Sequence, residues 1–95
     1  MPDALYVHGV RFVSANSDAR VSGLIGFVSF KLGKTLVIDG VALRQTADGE
    51  HSLSFPERRD RDGKPHPIVR PFDQAARDSI ERQVFAALRE MGVIR

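Results

Sequence analysis

The chain has 95 residues, 42% hydrophobic and 27% charged, with a net charge of +2 and no cysteine. This composition fits one globular domain over residues 1–95 that buries roughly two-thirds of its unfolded surface, and it excludes disordered and fibrous classes. Without cysteine there is no disulfide, thiolate metal site or cysteine nucleophile. No apolar run reaches the roughly 20 residues of a membrane span, and Met1-Pro2-Asp3 lacks the start of a signal peptide, so the expected setting is cytoplasmic with no membrane partner.

The pattern predicts strands first and a helix last. Leu5 to Ser14 is β-branched and aromatic, and it stops at the turn formers Ala15-Asn16-Ser17-Asp18, which read as a loop. Val21 to Lys31 reads as a second strand, Leu32-Gly33-Lys34 as a hairpin connection, and Thr35 to Arg44 as a third strand. Asp48-Gly49 signals a turn, after which His51, Leu53 and Phe55 fall on one face of a fourth strand ended by Pro56. Glycines at 9, 23, 26 and 40 mark bulges or close backbone approaches, and they predict strong twist.

From Pro71 the period changes. Phe72, Ala76, Ile80, Val84, Ala87, Leu88 and Met91 recur at helical spacing, with Asp73 as N-cap and Gly92 just past the C-terminus. The expected fold is α+β, a strongly twisted four-stranded antiparallel sheet followed by one C-terminal helix. The second strand is apolar on both sides, with Leu24, Val28 and Phe30 on one and Val21, Ile25 and Phe27 on the other. One helix cannot cover both, so self-association through the sheet or its edge, as a homodimer, is expected.

Catalytic chemistry finds no purchase. His8, His51 and His66 share no metal-binding spacing, the serines lie in no nucleophile elbow, and the glycines form no phosphate loop. Asp39, inside an apolar strand, reads as a carboxylate paired with a nearby arginine or with backbone N–H groups at a Gly40 bulge. No enzyme, cofactor or metal site is therefore expected.

Charge is concentrated instead. Arg58, Arg59, Arg61, Lys64 and Arg70 face only Asp60 and Asp62 within 58–70, although the whole chain nets +2. Such a segment is either a solvated loop in which Glu57, Asp60 and Asp62 neutralise the arginines, or a display for an anionic partner, stiffened by Pro56, Pro65, Pro67 and Pro71. The second reading is the stronger. The sole tyrosine, Tyr6, and the absence of tryptophan offer no evident stacking platform for single strands.

The order Leu36-Val37-Ile38-Asp39, Phe55-Pro56 with Arg58-Arg59, Asp62-Gly63, His66-Pro67-Ile68 and Arg77 with Ile80 resembles the stage V sporulation protein G (septation regulator) family over most of the chain. The chain departs from that pattern at Ile38, where the family often has His, and in a longer Asp39–Pro56 spacing. The resemblance implies a small α+β protein that dimerises through its sheet and binds nucleic acid as a regulator, with no enzymatic activity. The family's basic positions fall on Arg58 and Arg59, and its His-Pro-Ile segment on His66, Pro67 and Ile68.

The expected function is therefore nucleic-acid binding, duplex DNA first and RNA second, through Arg58, Arg59, Arg61, Lys64, His66 and Arg70. The alternative is a protein–protein interaction module that uses a sheet edge and the basic loop.

Overall fold

The computed structural model describes residues 6–95, so Leu5, at the head of the expected first strand, lies outside the described residues. Four strands, β1 (Val7–Ser14), β2 (Leu24–Leu32), β3 (Leu36–Gln45) and β4 (His51–Ser54), form one sheet in the order β1-β2-β3-β4. Every neighbouring pair is antiparallel, as the short connections dictate. The expected α+β class, four-stranded antiparallel sheet and C-terminal helix are all present.

Two regions depart from expectation. Ser17–Val21 forms a single helical turn, α1, where the turn formers predict a loop. Its first turn closes when Arg20 donates its N–H to the Asn16 carbonyl, and Gly23 then bonds back to Arg20. Val21 thereby leaves the sheet and is 90% exposed. Beyond the fourth strand, Glu57–Arg59 (β5) and Pro65–Pro67 (β6) pair as a separate antiparallel hairpin, where a loop is expected.

The bulges lie where the glycines place them. Between His8 and Arg11, β1 carries one more residue than β2, at Gly9-Val10, and between Ile38 and Val41, β3 carries an extra residue at Asp39-Gly40. A third bulge adds Ile25 to β2 and corrects two of the expected faces: Ile25 packs against the core with Val28 and Phe30, while Leu24, opposite Arg44, falls on the other face with Phe27.

The long helix α2 (Gln74–Glu90) starts where Asp73 accepts the Ala76 N–H, as expected of its N-cap. At the other end Gly92, at φ +79°, donates to the Arg89 carbonyl and Val93 donates to Leu88, the paired bonds of a Schellman cap. This closure turns Val93 and Ile94 back onto the core. Phe72, expected on the apolar stripe, precedes the N-cap and is 95% exposed, and Met91 is the exposed C-cap residue. Phe85, absent from the expected stripe, packs against the core instead.

The core lies between α2 and one sheet face. Val28, Phe30, Val41, Leu43, Leu53, Val84 and Leu88 are all essentially sealed from solvent. His51, Leu53 and Phe55 do share the inward face, with Leu53 at its buried centre.

The helix also closes the sheet at its margins. At β4, Leu53 donates its N–H to Glu81 Oε2 at 3.0 Å, and Arg77 donates to the Leu53 carbonyl at 2.6 Å. Arg77 and Glu81 stand 3.8 Å apart one turn along α2, and the Arg77 guanidinium lies 5.8 Å from the Phe55 ring centroid. Together they satisfy the backbone as an added strand would, so this edge is blocked there. At β1, Val7 alone is treated similarly, by Gln83 Oε1 at 2.8 Å. From Gly9 to Val13 the β1 backbone makes no bond beyond the β2 ladder among the described residues.

Candidate nucleic-acid interface

The basic segment is ordered by its own backbone. Ile68 donates to the Pro56 carbonyl at the base, Arg58 pairs opposite His66, and Asp60 donates to the Lys64 carbonyl near the tip. Ladder bonds thus fall at alternate pairs, and Pro65 and Pro67, which have no N–H, occupy the intervening positions where none is needed. The tip closes when Gly63, at φ +82°, donates to the Asp60 carbonyl.

Asp60 is the keystone of this turn. Its Oδ1 accepts the N–H groups of Asp62 and Lys64, both at 2.9 Å, and its Oδ2 lies 2.8 Å from His66 Nε2. The His66 bond first, then the backbone N–H groups, hold its carboxyl below the ordinary 3.8. Because the folded value is depressed, the contribution of this contact to hairpin order is present above the unfolded value and is lost as pH falls through the folded one. In an NMR titration, the Asp62 and Lys64 amide resonances should therefore move together with a midpoint below 3.8; a midpoint at or above that value would remove Asp60 as the clasp.

Strand alternation then sorts the expected binding residues. Arg58 and His66 share one face of the hairpin with Asp60 and Lys64, whereas Arg59 lies on the other with Glu57, Pro65 and Pro67. Arg59 pairs with Glu57 at 3.4 Å and donates to the Gly63 carbonyl at 2.8 Å. Arg61 sits in the tip, and Arg70 lies beyond the base, in a shallow recess with Phe55, Pro67 and Arg77. The hairpin does not bring all six together, and adjacent Arg58 and Arg59 point to opposite sides.

The acids do not neutralise the arginines in general. Glu57 pairs with Arg59, but both oxygens of Asp60 are engaged by the turn and by His66. Arg58, Arg61, Lys64 and Arg70 are exposed, and their side chains make no hydrogen bond or ion pair among the described residues. Such cations can donate charge-assisted hydrogen bonds to an incoming anion without first breaking internal ones.

Other cations were not singled out by sequence reasoning. Arg11, Lys31 and Arg44 all lie on the sheet face turned away from α2, alternating with core positions of β1, β2 and β3. Arg44 also lines an open cleft of about 500 Å³ between that face and β5, with Ser54, Glu57 and Arg59 on its walls. The period-two pattern of the strands carried this signal, which the denser charge of the 58–70 segment overshadowed.

Asp39 is exposed beside the Gly40 bulge, and its carboxylate makes no hydrogen bond or ion pair among the described residues, so the expected pairing is not made. His8 Nε2 lies 2.6 Å from the Gly33 carbonyl, and its ring stacks on Tyr6 with centroids 4.8 Å apart. His51 lies against Phe85. Among the described residues no group of three or more His, Asp or Glu side chains is placed to hold a metal, and no helix is long and apolar enough to cross a membrane. Comparison with known protein families and with curated protein sequences finds no match.

Proposed function

We propose that the chain is a small dimeric nucleic-acid-binding regulatory protein, of the kind its resemblance to the stage V sporulation protein G family implies, binding duplex DNA first and RNA second. The observation that carries this reading is the hairpin: Arg58, Arg61, Lys64 and Arg70 stand exposed without internal partners on a segment already ordered by Asp60 and its ladder bonds. Rigid display lowers the entropy lost on binding, and a cluster of cations exchanges condensed counterions for protein contacts along the phosphate backbone. Arg59 and His66 take part secondarily, since each must exchange an existing contact, with Glu57 and Asp60 respectively, for a phosphate. The contribution is electrostatic and positions the partner; it does not read bases.

Dimerisation belongs to the same reading. With β4 blocked at Leu53 by Arg77 and Glu81, the edge of the four-stranded sheet left for self-pairing is β1 between Gly9 and Val13. Antiparallel pairing of two β1 strands would join the sheets and present two hairpins to one nucleic acid. Light scattering at micromolar concentration should return twice the monomer mass, and Ser14→Pro, which removes an N–H that points away from β2 at the exposed end of β1, should shift it toward the monomer; a wild-type monomer would defeat this part of the proposal.

Binding itself is tested by fluorescence anisotropy with labelled duplex DNA and duplex RNA. Saturable, salt-sensitive binding to either supports the reading. Absence of binding at low salt, together with capture of a protein partner that survives nuclease treatment, would replace it with the interaction-module alternative.

A further inference from the structure

The sheet face opposite α2 is uncovered among the described residues, and its chemistry is uneven. Cross-strand register sets Val13, Phe27, Ala42 and Ser54 in one row over all four strands. Phe27, on a central strand, remains 44% exposed, and Val13 is 67% exposed. Arg11 stands opposite Ser29 and Arg44 opposite Leu24, so the two arginines flank the Phe27 ring on opposite diagonals, one on each neighbouring strand. Strand spacing and rise put their backbone positions roughly 16 Å apart. Lys31 lies further along the same face, where the sheet contributes one carboxylate, Asp39.

An exposed aromatic ring between arginines is a poor surface for a second copy. Two such faces stacked together would bury three cations from each copy, Arg11, Lys31 and Arg44, with one sheet carboxylate, Asp39, from each to meet them. The geometry points to this face as a platform for single-stranded nucleic acid, with a base stacked on Phe27 and phosphates held by Arg11 and Arg44. A duplex keeps its base faces inside the helix and has none to offer Phe27, whereas a single strand has both free bases and phosphates. Charge complementarity therefore selects a polyanion, and the exposed ring selects its single-stranded form. The face ends beyond Arg44 at the cleft walled by Ser54, Glu57 and Arg59, where Glu57 already holds the Arg59 guanidinium. This surface is distinct from the outward face of the hairpin, so the two readings stand or fall separately.

The test is anisotropy of the full chain with labelled oligothymidylate and oligouridylate, with duplex DNA measured in parallel. Phe27→Ala should weaken binding to the single strands by roughly 5- to 100-fold, the range for loss of one base–aromatic stack, while the salt slope stays unchanged. Phe27→Tyr, which keeps a ring, should retain most of the affinity. Arg44→Gln should lower the magnitude of the salt slope by roughly 0.7, as loss of one phosphate contact to a single strand requires. A melting curve of each variant confirms that the fold is kept. The relative affinity for the two oligonucleotides distinguishes DNA from RNA as the strand preferred. Wild-type affinity in Phe27→Ala would overturn the inference. So would a change in its oligomeric mass, which would assign the face to self-association. Neither result touches duplex binding by the hairpin, which depends on Arg58, Arg61, Lys64 and Arg70.

Discussion

Gly26→Ala should destabilise the protein by about 3 kcal/mol, the upper part of the range for overpacking a well-filled interior. A methyl group at this position would lie 2.4 Å from the Val13 carbonyl oxygen and 2.6 and 2.7 Å from two carbons of the Phe12 ring. The residue stands on β2 between Ser14 of β1 and Leu43 of β3, so the backbone has neighbours on both sides and little room to retreat. Relief would require Phe12 to leave its place against the core and β1 to move away from β2. In a domain of this size that loss should lower the melting temperature by roughly 12–24 °C. Gly40→Ala is the control, because nothing lies within 4 Å of its added methyl and the cost is the strain of φ +71° alone, about 1–2 kcal/mol. Thermal unfolding of the two variants decides the matter. A Gly26→Ala protein that melts within a degree or two of wild type would mean that β1 is not held against β2 as described.

Removing the unpartnered cations should have the largest effect on binding. The variant carrying Arg58→Gln, Arg61→Gln, Lys64→Gln and Arg70→Gln should bind duplex DNA roughly 100- to 1,000-fold more weakly at low salt, as the loss of four exposed cation–phosphate pairs at about 0.7–1 kcal/mol each requires. Its melting temperature should hardly change, because all four side chains are exposed and none makes an internal contact among the described residues. Alternation adds a sharper expectation. Arg58 and Arg59 lie on opposite faces of the β5–β6 ribbon, so Arg58→Gln should account for more of the loss than Arg59→Gln, whose side chain is already held by Glu57 and the Gly63 carbonyl. Equal losses from the two would mean that the partner wraps both faces. No loss from the fourfold variant would remove the hairpin from the site.

Much of this architecture is legible in the sequence because its signals are local. The helix declares itself through Ile80, Val84 and Leu88 at helical spacing, with Asp73 and Gly92 as caps that use only neighbouring backbone. The Gly33 and Gly49 connections follow from short turns between β-branched runs. The hairpin was harder to read, since three-residue strands with two prolines have too little periodicity to register as strands. Their pairing depends on which alternate positions need an N–H, and that is a property of register. The α1 turn was hidden for a similar reason: Asn16, Ser17 and Asp18 serve a helix start as well as a loop.

The site was legible in part. Charge density located the 58–70 segment, but composition could not show that Asp60 is engaged by the turn and by His66 while its neighbouring arginines stand free of it. Nor could it show that Arg11, Phe27 and Arg44, distant in sequence, come together on one sheet face. The Ile25 bulge reverses the simple alternation that would have assigned Ile25 and Phe27 to the same side.

The most direct test of phosphate binding by the hairpin is the salt dependence of duplex DNA affinity for the wild-type protein. The logarithm of the binding constant should fall linearly with the logarithm of salt concentration, with a slope of roughly −3 to −4 for one engaged hairpin and about twice that for the two of a dimer. A slope near zero would contradict the account, because exposed arginines that meet phosphates must release counterions.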